Sequence, residues 1–342
     1  MPTSSASKVA TFEDVGLSQA DGALPPARFS VSGWGVAASL SWLAVAAASL
    51  IREDVGDWPR TVTFAQGATA VAALAFILAL APARLGRTGA WFVQRTPWLV
   101  VLGLVLTAWE LVTAKYGWLP LPFFPPPQAL LEVYLDDFAK LGASVVASVK
   151  LQITGYAIGA VVGFLTGVSI GWSRRAGYWV HPVLRFIGPL PATAWLPVAF
   201  FLFPSSWSAS IFLIALATAF PVTVLTWSGV ASVPSSFYDV ARTLGATPWF
   251  LIRKVAVPAA MPHVFVGLFM GLGASFAVLV VAEMMGVKAG LGWYLQWAQG
   301  WAAYANMYAA LIVMSLLCSG AITLLFKVRD RLLSWQKGVV KW

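Results

Sequence analysis

Ionisable side chains inside long apolar runs are the first place to look for chemistry, because a charge in a hydrocarbon medium is costly and is retained for a reason. Three stand out. Glu110 lies near the end of the run 98–114, Lys150 about one turn inside the run 144–172, and Glu283 just past the run 264–282. Glu110 is suited either to a structural hydrogen bond or to lining a solute path. Lys150 is suited to attracting an anion or to snorkelling its ammonium to the interface. Glu283 precedes the turn Gly290-Leu291-Gly292 and reads as a structural anchor, with gating as the second role. Thr193 and Trp195 stand in a stretch interrupted by Pro182, Pro189, Pro191 and Pro197. Irregular backbone at membrane depth is tolerated only against protein or a wet cavity, so these two are candidates for path lining, against simple kinked packing.

Hydrolytic and metal chemistry find no footing. His181 and His263 are isolated, each beside a proline, and make no metal site. The single Cys318 sits inside an apolar run, which excludes a disulfide within one chain. No Ser/His/Asp or Cys/His set can be assembled. No Gly-x-x-x-x-Gly-Lys-Ser/Thr loop occurs, so the chain is not expected to bind ATP by that route. An intramembrane enzyme is therefore a poor reading, and energy must come from a partner or an ion gradient.

The elements that hold these residues are membrane spans. Of 342 residues, 59% are hydrophobic and 10% charged, far from the balance of a water-soluble domain. The net charge of +9 collects at the ends of apolar runs, which argues for membrane topology and against nucleic acid. Eight spans are predicted, at 31–51, 61–83, 98–114, 144–172, 186–203, 209–230, 264–282 and 307–326. The fifth is the one broken by prolines. The expected fold is therefore all-α, a polytopic bundle. Arg84, Arg87, Arg95, Arg174, Arg175, Arg185, Arg242, Arg253, Lys254, Lys327, Arg329 and Arg331 fall on one side. Arg52, Arg60, Lys115, Lys140, Lys150 and Lys288 fall on the other. The richer side should be cytoplasmic, with both termini inside. Residues 1–30 read as a flexible cytoplasmic tail without a signal peptide, and 337–342 as a short C-terminal tail.

Between spans three and four the run Leu119–Pro127 should be extended, followed by a short surface helix from Gln128 to Leu141. Span four carries Gly155, Gly159, Gly163, Gly167 and Gly171 at every fourth position. That spacing clears one face of a helix for close approach of another backbone, an architectural feature that binds nothing itself.

The loop 234–262 between spans six and seven is the most informative stretch. Ser236 and Asp239 are spaced as a capping box, giving a helix over Phe237–Leu244. Gly245 should end it in a left-handed conformation. Thr247 caps a second helix with Pro248 at its first position, and Pro258 and Pro262 should close that helix before span seven. Phe237, Tyr238, Leu244, Trp249 and Phe250 need a covering surface, because apolar groups of that size are costly in water.

This segment resembles the EAA loop of ABC importer permeases: Glu-Ala-Ala, three residues, Gly, nine residues, Ile, one residue, Leu-Pro. Here Asp239-Val240-Ala241, Gly245, Val255 and Val257-Pro258 keep the spacing throughout, with conservative departures. Leu190–Pro197, Ala282-Glu283-Met284, Gly290-Leu291-Gly292, Arg331 and Trp335 are similar to the nitrate/sulfonate/taurine subgroup. The resemblance implies a six-span permease core over 97–336, in which Asp239, Ala241, Arg242, Leu244, Gly245 and Pro258 belong to the element that couples to a cytoplasmic ATPase. It implies further partners: a second permease chain, like or unlike, and an external solute-binding protein. ATP and magnesium are expected on the ATPase, with no cofactor in this chain. The location implied is a bacterial inner membrane, and the cargo a small anion. A secondary transporter driven by an ion gradient is the alternative, though the ionisable mid-membrane residues usual in that class are missing. Residues 31–96 lie before the resemblance and are expected to be two additional spans dispensable for the transport cycle.

Overall fold

The computed structural model describes residues 32–80 and 86–336, without the side chains of 87, 88 and 336. Residues 1–30, 337–342 and the expected end of span two lie outside the described residues. Thirteen helices follow one another among the described residues, with no strand. They are α1 Gly33–Ile51, α2 Thr61–Leu80, α3 Gly86–Glu110, α4 Pro127–Asp136, α5 Phe138–Trp172, α6 Arg174–Ile187, α7 Leu196–Leu202, α8 Ser206–Ala231, α9 Ser235–Thr243, α10 Pro248–Phe250, α11 Val257–Met285, α12 Leu291–Gly300 and α13 Tyr304–Leu332. Seven helical segments are long and apolar enough to cross a membrane. The predicted fifth span is instead a bent pair, α6 and the segment Ala192–Leu202, meeting at 87°; counted as one span, it makes eight. Its cause is local. Pro191 introduces a tight 3-10 turn over Ala192–Trp195, and Pro197 starts the next helix at its first turn, where a missing N–H costs nothing.

Other boundaries move for similar reasons. α3 runs through Pro97 without a break, so no helix end marks the expected junction at 96–97. The predicted surface helix stops at Asp136, and Asp137 alone separates it from α5, which begins at Phe138 rather than Ser144. Pro258 and Pro262 do not close a helix. α10 passes through a widened π turn at Leu251–Ala256 directly into α11, whose first turn holds Pro258 and whose interior holds Pro262. A π turn shifts the hydrogen-bond register and accommodates the N–H that proline lacks. The ten-residue α12 has no counterpart among the predicted elements.

Within the described residues the chain forms two compact units, Met1–Ala46 with Gly67–Val105, and Ala47–Gln66 with Leu106–Trp342. The smaller is centred on Ala38, Ala75 and Phe92, and Trp42 Nε1 donates to the Leu99 carbonyl at 3.1 Å. The larger is built on α5, α8 and α11. A methyl group placed on Gly155 would lie 2.6 Å from Ile214, on Gly163 2.7 Å from the Ala219 carbonyl, on Gly167 2.6 Å from Thr226 and on Gly171 2.6 Å from Val230. On Gly159 it would collide with the Ala215 carbonyl. The glycine face of α5 therefore lies directly on α8 along its whole length from Gly155 to Gly171. Tyr156 Oη donates to the Leu268 carbonyl at 2.9 Å, and Gln152 Nε2 to Ser275 Oγ at 2.6 Å, which tie α5 to α11. Interhelical bonds of this kind hold helices together where lipid removes the usual hydrophobic drive.

Candidate functional site

One end of the α5–α8–α11 bundle carries the loop 234–262. Val230, Ala256 and Ala260 form a small buried cluster there, covered by Trp172 and Tyr238. α9 springs from Pro234, and no side chain caps its first turn. The predicted capping box is thus not formed: Asp239 reaches forward instead to Arg242, at 3.2 Å, both largely in solvent. Gly245 ends α9 at φ +82°, and a Cβ there would meet no neighbour, so backbone conformation alone demands glycine. Thr247 Oγ1 accepts from the Phe250 N–H at 3.3 Å, with Pro248 next in line. Of the apolar residues that need a cover, Tyr238 finds one within the chain, packing edge-on to Trp172 at 5.8 Å. Burial there pushes its phenol above the usual range. The rest stay uncovered: Leu244 is 83% exposed, with Phe237, Val240, Trp249 and Phe250 also exposed. Arg253 lies over the Trp249 ring at 5.7 Å. Ala241 and Arg242 lie on α9, and Pro258 stands in the first turn of α11.

The opposite end is closed on itself by polar networks. Glu283, fully buried, accepts from Ser148 Oγ at 2.7 and 2.9 Å and from the Gly292 N–H at 2.8 Å. Ser148 Oγ in turn accepts from the Leu291 N–H at 2.7 Å. The carboxylate therefore caps the first turn of α12 from another helix, a favourable place for negative charge. Gly290 at φ +121° leaves the room: a Cβ there would strike the Glu283 carboxylate. At the other end of α12's partners, Asp137 Oδ2 accepts from Tyr294 Oη at 2.6 Å and from Asn306 Nδ2 at 3.3 Å. Burial, and then the bond to Asp137, hold the Tyr294 phenol above its ordinary range. Lys140 Nζ sits 2.8 Å from the centre of the Trp297 ring.

The residues proposed for a path do not converge. Glu283 and Glu110 are both fully buried and engaged within the chain, Glu110 accepting from Gln128 Nε2 at 3.2 Å. Lys150 is exposed on α5 and borders a hollow of about 270 Å³ with Trp207, Val287 and Ala289. Thr193 and Trp195 lie on the 3-10 turn, half-buried, with Trp195 packed against the core of Leu196, Ala199 and Leu279. His181 stacks edge-on to Trp227 at 4.4 Å, and His263 packs beside Gly229. Sequence reasoning missed Ser148, Gln152, Ser275, Asp137, Tyr294 and Asn306. Asp137 was one of several charges in 132–140, and the others were single polar residues in largely apolar surroundings, Gln152 three residues before the first ladder glycine.

A family model described as binding-protein-dependent transport system inner membrane component matches residues 155–335. The bicarbonate transport system permease protein CmpB of Synechococcus elongatus is 30% identical over 191 residues, 56% of this chain. That match spans 66% of the relative's length, just under two thirds. A probable ABC transporter permease protein of Brucella abortus is 31% identical over 241 residues, 70% of this chain and 95% of the relative. The nitrate import permease protein NrtB of Synechococcus elongatus is 26% identical over 251 residues, 70% of this chain and 87% of the relative.

Proposed function

This chain belongs to the binding-protein-dependent transport system inner membrane components, and from that premise we propose that it is the membrane-spanning permease of an ATP-driven importer. It is a multi-pass membrane protein. The observation that carries the mechanism is the helix–elbow–helix of α9, Gly245 and α10, with an apolar face left bare at one end of a tightly packed bundle. A bare face of that kind fits a partner that buries it. The partner is a cytoplasmic ATPase, which carries ATP and magnesium. When the ATPase closes, it moves α9, and Pro258 at the head of α11 receives the displacement. The loop end is then the cytoplasmic end, in keeping with the arginine-rich side of the sequence. Two permease chains enclose the path, and an external binding protein delivers the solute at the closed end.

The cargo is a small anion. Two relatives are named for bicarbonate and nitrate, and Lys150 is a cation exposed toward a hollow at the end where the solute would enter. The decisive test is energetic. The chain alone in vesicles, with a proton or sodium gradient imposed, should transport neither nitrate nor bicarbonate. Uptake should appear only when the ATPase, the binding protein and ATP are supplied. Gradient-driven uptake by the chain alone would replace this reading with a secondary carrier.

A further inference from the structure

Lys115 ends the π turn that follows α3, and the sequence places it among the solvent-facing charges of a loop. In the structure it is 2% exposed. A buried ammonium must have its three donors satisfied, or it destabilises the fold. The three shortest contacts come from the last turn of α1 and the connection that follows it. Lys115 Nζ donates to the Ser49 carbonyl at 2.7 Å and to the Arg52 carbonyl at 2.8 Å, and pairs with Asp54 Oδ1 at 2.7 Å. Glu110 stands further off, at 3.9 Å.

The same connection does more at that point. The Val55 N–H donates to the Ala114 carbonyl at 2.8 Å, satisfying one of the carbonyls that a helix C-terminus leaves open. Arg52 lies 4.4 Å over the Tyr116 ring. Asp54 Oδ2 accepts from Thr61 Oγ1 at 2.7 Å, so one carboxylate links the start of α2 to Lys115. Arg60 pairs with Asp136 at the end of α4, next to the Asp137 that holds Tyr294 and Asn306.

We propose that the loop 52–60 is a clamp on the closed end of the bundle, which caps α3 by burying the charge of Lys115 and fixes α4 through Asp136. The loop is then a working part of the protein, contrary to the expectation that residues 31–96 are dispensable. Lys115 and Asp54 are positioning residues. They touch no solute, and act by setting α4, whose C-terminal neighbour Asp137 sets α12.

The test is a double-mutant cycle in the full chain. Removing one member of a buried pair strands the other, whereas removing both leaves an apolar contact. Lys115→Met and Asp54→Leu should each lower Tm by about 5 °C or more. Each should also open Arg52 and Arg60 to trypsin added on the loop's own side. The double variant should recover at least half of the lost Tm and regain protection. Asp54→Asn, milder because it keeps the bond to Thr61, covers the case in which Asp54→Leu fails to insert. Asp57→Asn, in the same loop but exposed, should behave as the parent. Single variants with the parent's Tm and protection, or a double variant equal to the sum of the singles, would overturn the clamp. Neither readout involves transport, so this outcome is distinguishable from a failure of the permease reading. Uptake per inserted protein should follow Tm across the cycle, and uptake that stays level would overturn the positioning role of Lys115 and Asp54.

Discussion

The two ends of the bundle solve opposite problems. At the closed end, Glu283, Lys115 and Asp137 are buried or half-buried charges whose partners all lie in the same chain. At the loop end, the one ion pair of α9 lies in solvent, and four large apolar side chains of α9 and α10 together with Leu244 face outward. Exposed ion pairs contribute little, and buried pairs cannot lose a member cheaply. A self-satisfied end resists deformation, whereas a bare apolar face at a glycine elbow is free to be completed and moved by another molecule. Substitutions at the closed end should therefore be read in stability, and those at the loop end in coupling.

The largest effect is expected between the two ends, in the glycine ladder that seats α5 on α8. Gly159→Val places a branched side chain against the Ala215 carbonyl and Thr218. Overpacking of that kind costs roughly 3 kcal/mol, enough to deplete the folded protein, as abundance in the membrane and Tm will show. Unchanged Tm would mean that α5 and α8 separate readily. Gly290→Ala comes next. Its φ of +121° is open to glycine alone, and the added Cβ meets the Glu283 carboxylate. About 2 kcal/mol of stability should be lost, visible as a lower Tm and faster hydrogen exchange in the first turn of α12. Equal exchange in the two proteins would break the link between Glu283 and α12.

Gly245→Val tests the other end. Valine in the left-handed region costs about 1–2 kcal/mol locally, but nothing lies within reach of its Cβ. Insertion and Tm should stay near the parent, while ATPase binding and ATP-driven uptake fall about tenfold, measured per inserted protein. The neighbouring Ala246→Ser serves as control and should be much milder. Parent-like uptake in Gly245→Val would remove the elbow from the mechanism. The smallest stability effect belongs to Leu244→Gln, within about 0.5 kcal/mol because the side chain is 83% exposed. If it weakens ATPase binding all the same, the apolar face is a docking surface; if binding is untouched, Leu244 lies outside it.

Much of the architecture could be read directly from the residues. Apolar runs bounded by charges marked the spans, since a bilayer imposes length and composition on any helix that crosses it. Glycine at every fourth position of α5 marked a face for close approach. Gly245 and the Thr247-Pro248 pair marked the elbow and the second helix start. Each of these is decided by neighbours within about a turn, where sequence spacing and spatial distance are nearly the same thing. The family pattern over 239–258 lies in this local register as well.

Tertiary structure alone decided the partners of the charges. Glu283 found Ser148, 135 positions away, and Lys115 found Ser49 and Arg52, 66 and 63 positions away. Lys115 could be read only as one more charge in an outer loop, because nothing within a turn of it shows that residues 49–55 fold over it. α12 was hidden for the same reason. Its ten residues are anchored by Glu283 of α11 and by Asp137 between α4 and α5 rather than by caps of its own. Where a helix end or a buried charge is satisfied from across the bundle, the chain supplies the groups, and only the meeting of the helices determines which of them pair.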